Sequence, residues 1–312
     1  MRTTTTLGAF ALGLTVVFAA AVGVGDALGP VGTASAATST PAGAHGGEAG
    51  DHADAGSGHA DEPDGHAQAP APQPEGLSAS ADGYTLRLHT PSLPQAASSE
   101  LALTILGPDG EPVTAFTPTH DEELHLVVVR RDGTGFRHVH PERDAAGRWT
   151  VPITLPDAGS YKVFADTAPQ GRDEALTLAA DLQVAGDYRP VPIPAPSPTA
   201  TVDGYTVRLT GDLVAGRTSP LSLSVSRDGR PVTDLQPYLA AYGHLVSLRE
   251  GDLAYLHTHP EGAPDDGRTP AGPDVSFGVD VPTEGTYLLY LDFKHDGVVR
   301  TAAFVATARS AS

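Results

Sequence analysis

At two places in this chain a histidine is followed thirteen residues later by His-x-His-Pro: His125 with His138, His140 and Pro141, and His244 with His257, His259 and Pro260. The recurrence runs beyond the histidines. Asp82-Gly83-Tyr84-Thr85 returns as Asp203-Gly204-Tyr205-Thr206, and Asp109-Gly110-x-Pro112-Val113-Thr114 returns as Asp228-Gly229-x-Pro231-Val232-Thr233. A chain that repeats itself in this way is a tandem duplication, which constrains it to fold as two copies of one unit. The offset between copies is 119 residues from His140 to His259 and 126 from Tyr161 to Tyr287. The second copy therefore carries an insertion of seven residues, assigned to the Gly/Pro/Asp-rich stretch 262–272, which reads as a surface loop.

Ahead of the repeats, residues 7–25 are uncharged and rich in Ala, Leu, Val and Gly, with Arg2 before them and Ala34-Ser35-Ala36 after. This is the layout of an export signal spanning residues 1–36; left uncut, the same run is long enough to anchor the chain in a membrane. Both outcomes predict an extracytoplasmic protein, secreted or tethered to the cell membrane. Residues 37–78 contain almost no large apolar side chain and are expected to be a disordered linker. Within it His45, His52, His59 and His66 recur every seven residues beside carboxylates, a pattern able to collect cations weakly.

From residue 79 the chain is a succession of short apolar or alternating runs bounded by Gly-, Pro- and Asp-bearing turns. In the first copy they are Tyr84 to Leu88, Leu101 to Leu106, His125 to Val129, Phe136 to His140, Trp149 to Ile153, Tyr161 to Ala165 and Leu176 to Val184. Seven such strands predict an antiparallel β-sandwich, all-β, at residues 79–187 and again at 202–308. The intervening residues 188–201, with Pro190, Pro192, Pro194, Pro196 and Pro198, are expected to be a stiff extended spacer.

The hairpin signal around the histidines is specific. Between His125 and His140 two strand-like runs flank Asp132-Gly133; a two-residue turn there pairs residues whose numbers sum to 265, placing His125 opposite His140. His138 lies on the same face by the period of two. In the second copy Gly251-Asp252 centres the turn, the sum is 503, and His244 faces His259 with His257 alongside. Pro141 and Pro260 end their strands, so each triad is expected at a sandwich rim. Asp166 and Asp292, at the ends of corresponding strands, are candidate fourth ligands, with Glu142 and Glu261 as alternatives. His89 and His120 read as hydrogen-bonded structural residues, and His295 has no counterpart in the first copy.

The chain has no cysteine and Met1 is its only methionine, so any ligands are imidazoles and carboxylates, which favours Cu(II) or Zn(II). A formal charge of −19 repels phosphate backbones and makes nucleic acid an unsuitable partner. The strand opening on His, the segments Phe136-Arg137-His138-Val139-His140-Pro141 and Tyr255-Leu256-His257-Thr258-His259-Pro260, and the following Gly-x-Tyr-x-x-Phe/Tyr-x-Asp strand resemble the YtkA-like and CopC-like exported β-sandwich proteins. The resemblance covers about residues 79–185 and 200–308. It implies immunoglobulin-like modules and copper handling outside the cytoplasm.

The leading expectation is a binding protein with a three-histidine site in each domain, buffering Cu(II), or else Zn(II), or delivering it to a membrane metal transporter or other envelope protein. The alternative is an envelope interaction module of two immunoglobulin-like domains without metal. An enzyme is not expected: positions 144–145 and 263–264 are Asp-Ala and Ala-Pro where a cupin-type site would place Glu, and no Ser/His/Asp elbow or phosphate loop occurs.

Overall fold

A computed structural model describes residues 74–172, 174–256 and 258–311. The apolar segment, the tract bearing His45 to His66, and His257 lie outside the described residues. Among those described, no helix is long and apolar enough to cross a membrane.

The first repeat forms β1 (Ser80–Ala81), β2 (Tyr84–Leu88), β3 (Ser92–Pro94), β4 (Ser98–Leu106), β5 (Leu124–Arg130), β6 (Arg137–Val139), β7 (Glu142–Arg143), β8 (Arg148–Thr154), β9 (Gly159–Thr167) and β10 (Leu176–Ala185). The second forms β11 (Thr199–Val202), β12 (Tyr205–Thr210), β13 (Leu213–Val214), β14 (Arg217–Arg227), β15 (Arg230–Pro231), β16 (His244–Arg249), β17 (Tyr255–Leu256), β18 (Thr258–Pro260), β19 (Asp274–Val281), β20 (Gly285–His295) and β21 (Val298–Arg309). Each repeat is a pair of sheets. The outer ones run β1-β2-β4-β8-β7 and β11-β12-β14-β19-β18; the others run β3-β10-β9-β5-β6 and β13-β21-β20-β16-β17.

These are immunoglobulin-like sandwiches. In each, a short strand pairs parallel with the last one, β3 on β10 and β13 on β21. Each also has a tyrosine corner: the Tyr161 hydroxyl donates to Asp157 O at 2.8 Å and the Tyr287 hydroxyl to Thr283 O at 2.7 Å. Leu101, Leu103, Leu126, Trp149 and Tyr161 anchor one core; Val207, Leu223, Phe277, Leu289 and Phe293 anchor the other.

A third core joins the two repeats. In β5, Leu124, Leu126 and Val128 point into the first sandwich, so His125, Val127 and Val129 point out of it. Val127, Val129 and Phe164 then pack against Val246, Leu248, Leu288 and Tyr290 of the second repeat. Phe136 stacks on Tyr290 at 4.1 Å, and the Tyr290 hydroxyl donates to Gly133 O at 2.6 Å. The spacer does not hold the sandwiches apart: Val191 N bonds Asp132 Oδ2 at 2.8 Å, Ile193 packs on the shared core, and Ser197 N bonds Val305 O at 3.1 Å. The signal was present in the unbroken apolar runs Leu126-Val127-Val128-Val129 and Leu288-Leu289-Tyr290-Leu291, which mark strands buried on both faces.

Candidate metal centre

Strands β5 and β6 pair Leu126 with Val139, Val127 with His138 and Val128 with Arg137, the register that sums to 265. The turn that produces it is not the two-residue one. Gly133 N bonds Arg130 O at 2.8 Å and Arg130 N bonds Thr134 O at 2.9 Å, closing a three-residue loop with Gly133 at φ +78°. That loop shifts the register by one. An extra residue at Gly135, φ +66°, shifts it back. His125, His138 and His140 therefore converge as the face pattern requires, but on the outward face of the sheet, against the second repeat.

Each imidazole offers one nitrogen, and these three atoms all lie within 4.8 Å of one another. The remaining nitrogens decide their chemistry. His125 Nε2 is 2.9 Å from Thr119 O, a carbonyl that only accepts, so Nε2 carries the proton and Nδ1 the lone pair. His138 Nδ1 is 2.9 Å from the Asp292 carboxylate, which leaves the lone pair of the neutral ring on Nε2. His125 Nδ1 and His138 Nε2 face each other at 3.2 Å. His140 Nε2 is buried with no hydrogen-bond partner. Two nitrogens on one tetrahedral ion, each at ~2.0–2.1 Å from it, stand about 3.3 Å apart. Burial first, and neighbouring imidazoles second, lower His125 to about 4 and His140 to about 3, so both are neutral at physiological pH.

Residues 79–186 and 200–310, one stretch in each repeat, match the family described as Domain of unknown function (DUF8832). The chain belongs to that family. No curated protein matches the sequence. Among solved structures, it is similar to a DUF4426 family protein from Pseudomonas aeruginosa at 7% identity, covering 35% of this chain and 94% of that one, with a TM-score of 0.26. It is also similar to the Escherichia coli adhesin FdeC (13% identity, 74% of this chain and 65% of that one, TM-score 0.24). The corresponding values for Yersinia pseudotuberculosis InvD are 13%, 74%, 59% and 0.23. The chain thus spans just under two thirds of FdeC and of InvD.

The second DUF8832 repeat departs from the first at its own His-x-His-Pro. Strands β16 and β17 keep the sum of 503, through a four-residue loop closed by Arg249 N to Ala254 O at 2.9 Å. After Leu256 the chain leaves that sheet: β18 pairs with β19, Thr258 opposite Val279 and His259 opposite Gly278. The first repeat makes the same change of sheet at β7, beyond its Pro141. His259 is consequently exposed and does not face His244, although both line a cavity of about 140 Å³ with His120, His125, His138 and Asp166. His244, expected to serve a separate site, has its ring 6.0 Å from that of His125 and 6.1 Å from that of His138. Burial and the surrounding imidazoles lower it to about 3.

The two aspartates occupy equivalent register positions, Asp166 opposite His125 and Asp292 opposite His244, yet play different parts. Asp292 crosses to the other repeat. Its Oδ2 holds His138 and its Oδ1 accepts from the Thr301 hydroxyl at 2.5 Å, so both carboxylate oxygens are engaged and one of them orients an imidazole of the first repeat. Asp166 lies on the cavity wall, where enclosure and the Glu75 carboxylate push it up to about 7. Glu142 and Glu261 are exposed and do not line the cavity. His89 bonds Thr104 Oγ1 at 2.8 Å, and buried His295 bonds the Tyr205 hydroxyl at 2.7 Å and Asp234 at 3.1 Å. His120, expected to be structural, is exposed, lines the cavity and has its ring 5.0 Å from that of His244. Only its tight-turn context in sequence, Thr119-His120-Asp121-Glu122, hinted at a special position.

Proposed function

We propose that this protein is an extracytoplasmic metal-binding protein, holding Cu(II) in preference to Zn(II) at His125 Nδ1, His138 Nε2 and His140 Nε2. One observation carries the reading: a carbonyl and a carboxylate occupy the outer nitrogens of His125 and His138, their inner nitrogens face each other at 3.2 Å, and the third ring of the cluster, His140, has its Nε2 buried with no hydrogen-bond partner. A divalent ion satisfies all three nitrogens at once. Three protein ligands leave a coordination position for water, for Asp166 or for an acceptor's ligand, as a protein that buffers and passes on an ion requires. The resemblance to YtkA-like and CopC-like sandwiches, together with an all-imidazole donor set lacking thioether, favours Cu(II). The recipient would be a membrane metal transporter or another envelope protein, reached from the anchored or secreted form that residues 1–36 allow.

The one competing arrangement is a protonated His138 donating to both Asp292 and His125, in which case the site is a structural clasp and the chain an envelope interaction module. Dialysis of the full chain against Cu(II) and Zn(II), with metal measured per chain, separates the two. Tight retention that disappears on joint substitution of His138 and His140 by alanine supports the metal site. Equal retention in that variant sinks it and assigns the metal to the histidine tract.

A further inference from the structure

His120 and Asp121 are the central residues of a tight turn in which Thr119 and Glu122 exchange backbone hydrogen bonds of 2.9 and 3.1 Å. Both are left-handed, at φ +51° and +68°. The second repeat has the same turn, Leu239 and Ala240 at φ +55° and +58° between Tyr238 and Ala241. Turns of this hand are ordinarily made from Asn and Gly, because a Cβ is crowded at positive φ. Strain of this kind persists only where the surrounding structure enforces it, and here it aims groups at the cavity. Thr119 O and Leu239 O hold Nε2 of His125 and His244 at 2.9 and 2.8 Å, leaving Nδ1 of each neutral ring as the lone-pair nitrogen. The first turn also carries the His120 ring across the repeat boundary to His244.

Ring spacing sorts these histidines into two groups. Two imidazoles on one tetrahedral ion, with metal–nitrogen distances of ~2.0–2.1 Å, have ring centres about 5 Å apart. His125, His138 and His140 meet that spacing at 4.9 to 5.4 Å. His120 and His244 meet it at 5.0 Å. Between the groups His120–His125, His125–His244 and His138–His244 stand 6.0 to 6.1 Å apart, wider than two ligands of one tetrahedral ion. His120 is exposed while His244 and His125 are enclosed, so His120 is the member of the pair that reaches solvent.

We propose that His120 and His244 form a second, outer position for a divalent cation, built across the repeat boundary beside the triad and loading it. The proposal rests on the triad being a metal site. Two imidazoles hold an ion less tightly than three, so the outer position exchanges with solvent while the inner one retains.

The test uses the full chain with His45, His52, His59 and His66 replaced by alanine, titrated with Zn(II) by calorimetry and equilibrium dialysis. Two classes of site are expected. His120→Gly suits a left-handed position and keeps the turn; it should weaken the weaker class by about tenfold or more and leave the tighter class within about twofold. His244→Gln, whose amide retains a donor for Leu239 O, should act like His120→Gly, and His138→Ala should remove the tighter class instead. A single class unaffected by His120→Gly overturns the outer position and leaves the triad intact. Loss of the tighter class in His120→Gly also overturns it, because one ion would then span both groups. If the folded parent binds no Zn(II) and no Cu(II), the triad reading itself has failed.

Discussion

Asp292, expected beside His244 in its own repeat, bonds His138 of the other one. Its place at the end of the Gly-x-Tyr strand was legible; its reach into the other repeat was not, because no local pattern encodes which sheet faces which. Its carboxylate fixes the tautomer and direction of His138, and loss of such an orienting group typically lowers metal affinity by about 10–100-fold. Asp292→Asn is therefore expected to weaken Cu(II) or Zn(II) retention by that order while leaving the ligand count unchanged, as competition with a chromophoric chelator would measure. Unaltered affinity would show that His138 is positioned by packing alone.

The same enclosure that keeps the rings neutral has a sign that can be checked. His125, His140 and His244 are lowered to about 4, 3 and 3, while an unfolded histidine titrates near ~6.5. Between those values the unfolded chain binds more protons, so stability is present above about pH 6.5 and is lost as pH falls. Asp166, raised to about 7, acts oppositely, since the folded state then keeps a proton that the unfolded state has released. Three imidazoles outweigh one carboxyl across the shared window. The metal-free chain should lose on the order of 1–2 kcal/mol per pH unit between about 6 and 5. Thermal unfolding at the two pH values checks this, and an equal or higher midpoint at pH 5 would contradict it.

At the scale of strands and turns, register proved more legible than turn geometry. The sums 265 and 503 hold because a slip by one residue would send every apolar side chain to the wrong face, whereas the loops that reach those sums differ in each repeat. The departure of β18 from the β16-β17 sheet had no sequence marker: Pro260 and Pro141 look alike, and the seven extra residues lie in the connection that follows. Gly133 is where turn chemistry meets packing, since a Cβ there would come 2.7 Å from Leu288 Cδ1 of the other repeat at φ +78°. Gly133→Ala should destabilise by about 2 kcal/mol or more, combining left-handed strain with displacement of Leu288. Gly251→Ala has φ +92° but no atom within 4 Å of the added carbon, and should show only the backbone part. Urea midpoints at unchanged slope would measure both; equal losses would mean that the inter-repeat contact is slack.

At the scale of the whole molecule, duplication has set histidines of both repeats around one cavity on the face the repeats share. Each sandwich has a core of its own, so each half was readable as a folding unit; the third core, from Val127 to Val305, appears only when the halves are docked. A first repeat expressed alone as residues 79–186 would lose Asp292 behind His138 and His244 beside the triad, and would bare Val127, Val129 and Phe164, each fully buried in the intact chain. Burial of an apolar side chain of this size contributes roughly 1.5–3 kcal/mol, so the bared sheet has a strong drive to find another surface. The isolated repeat is expected to self-associate through that sheet and to retain metal more weakly than the full chain. Sedimentation across a concentration series, with metal retention measured on the same samples, decides the matter: a monomeric half that binds as tightly as the whole would mean that each repeat carries a complete site and that the docking of the two serves some other end.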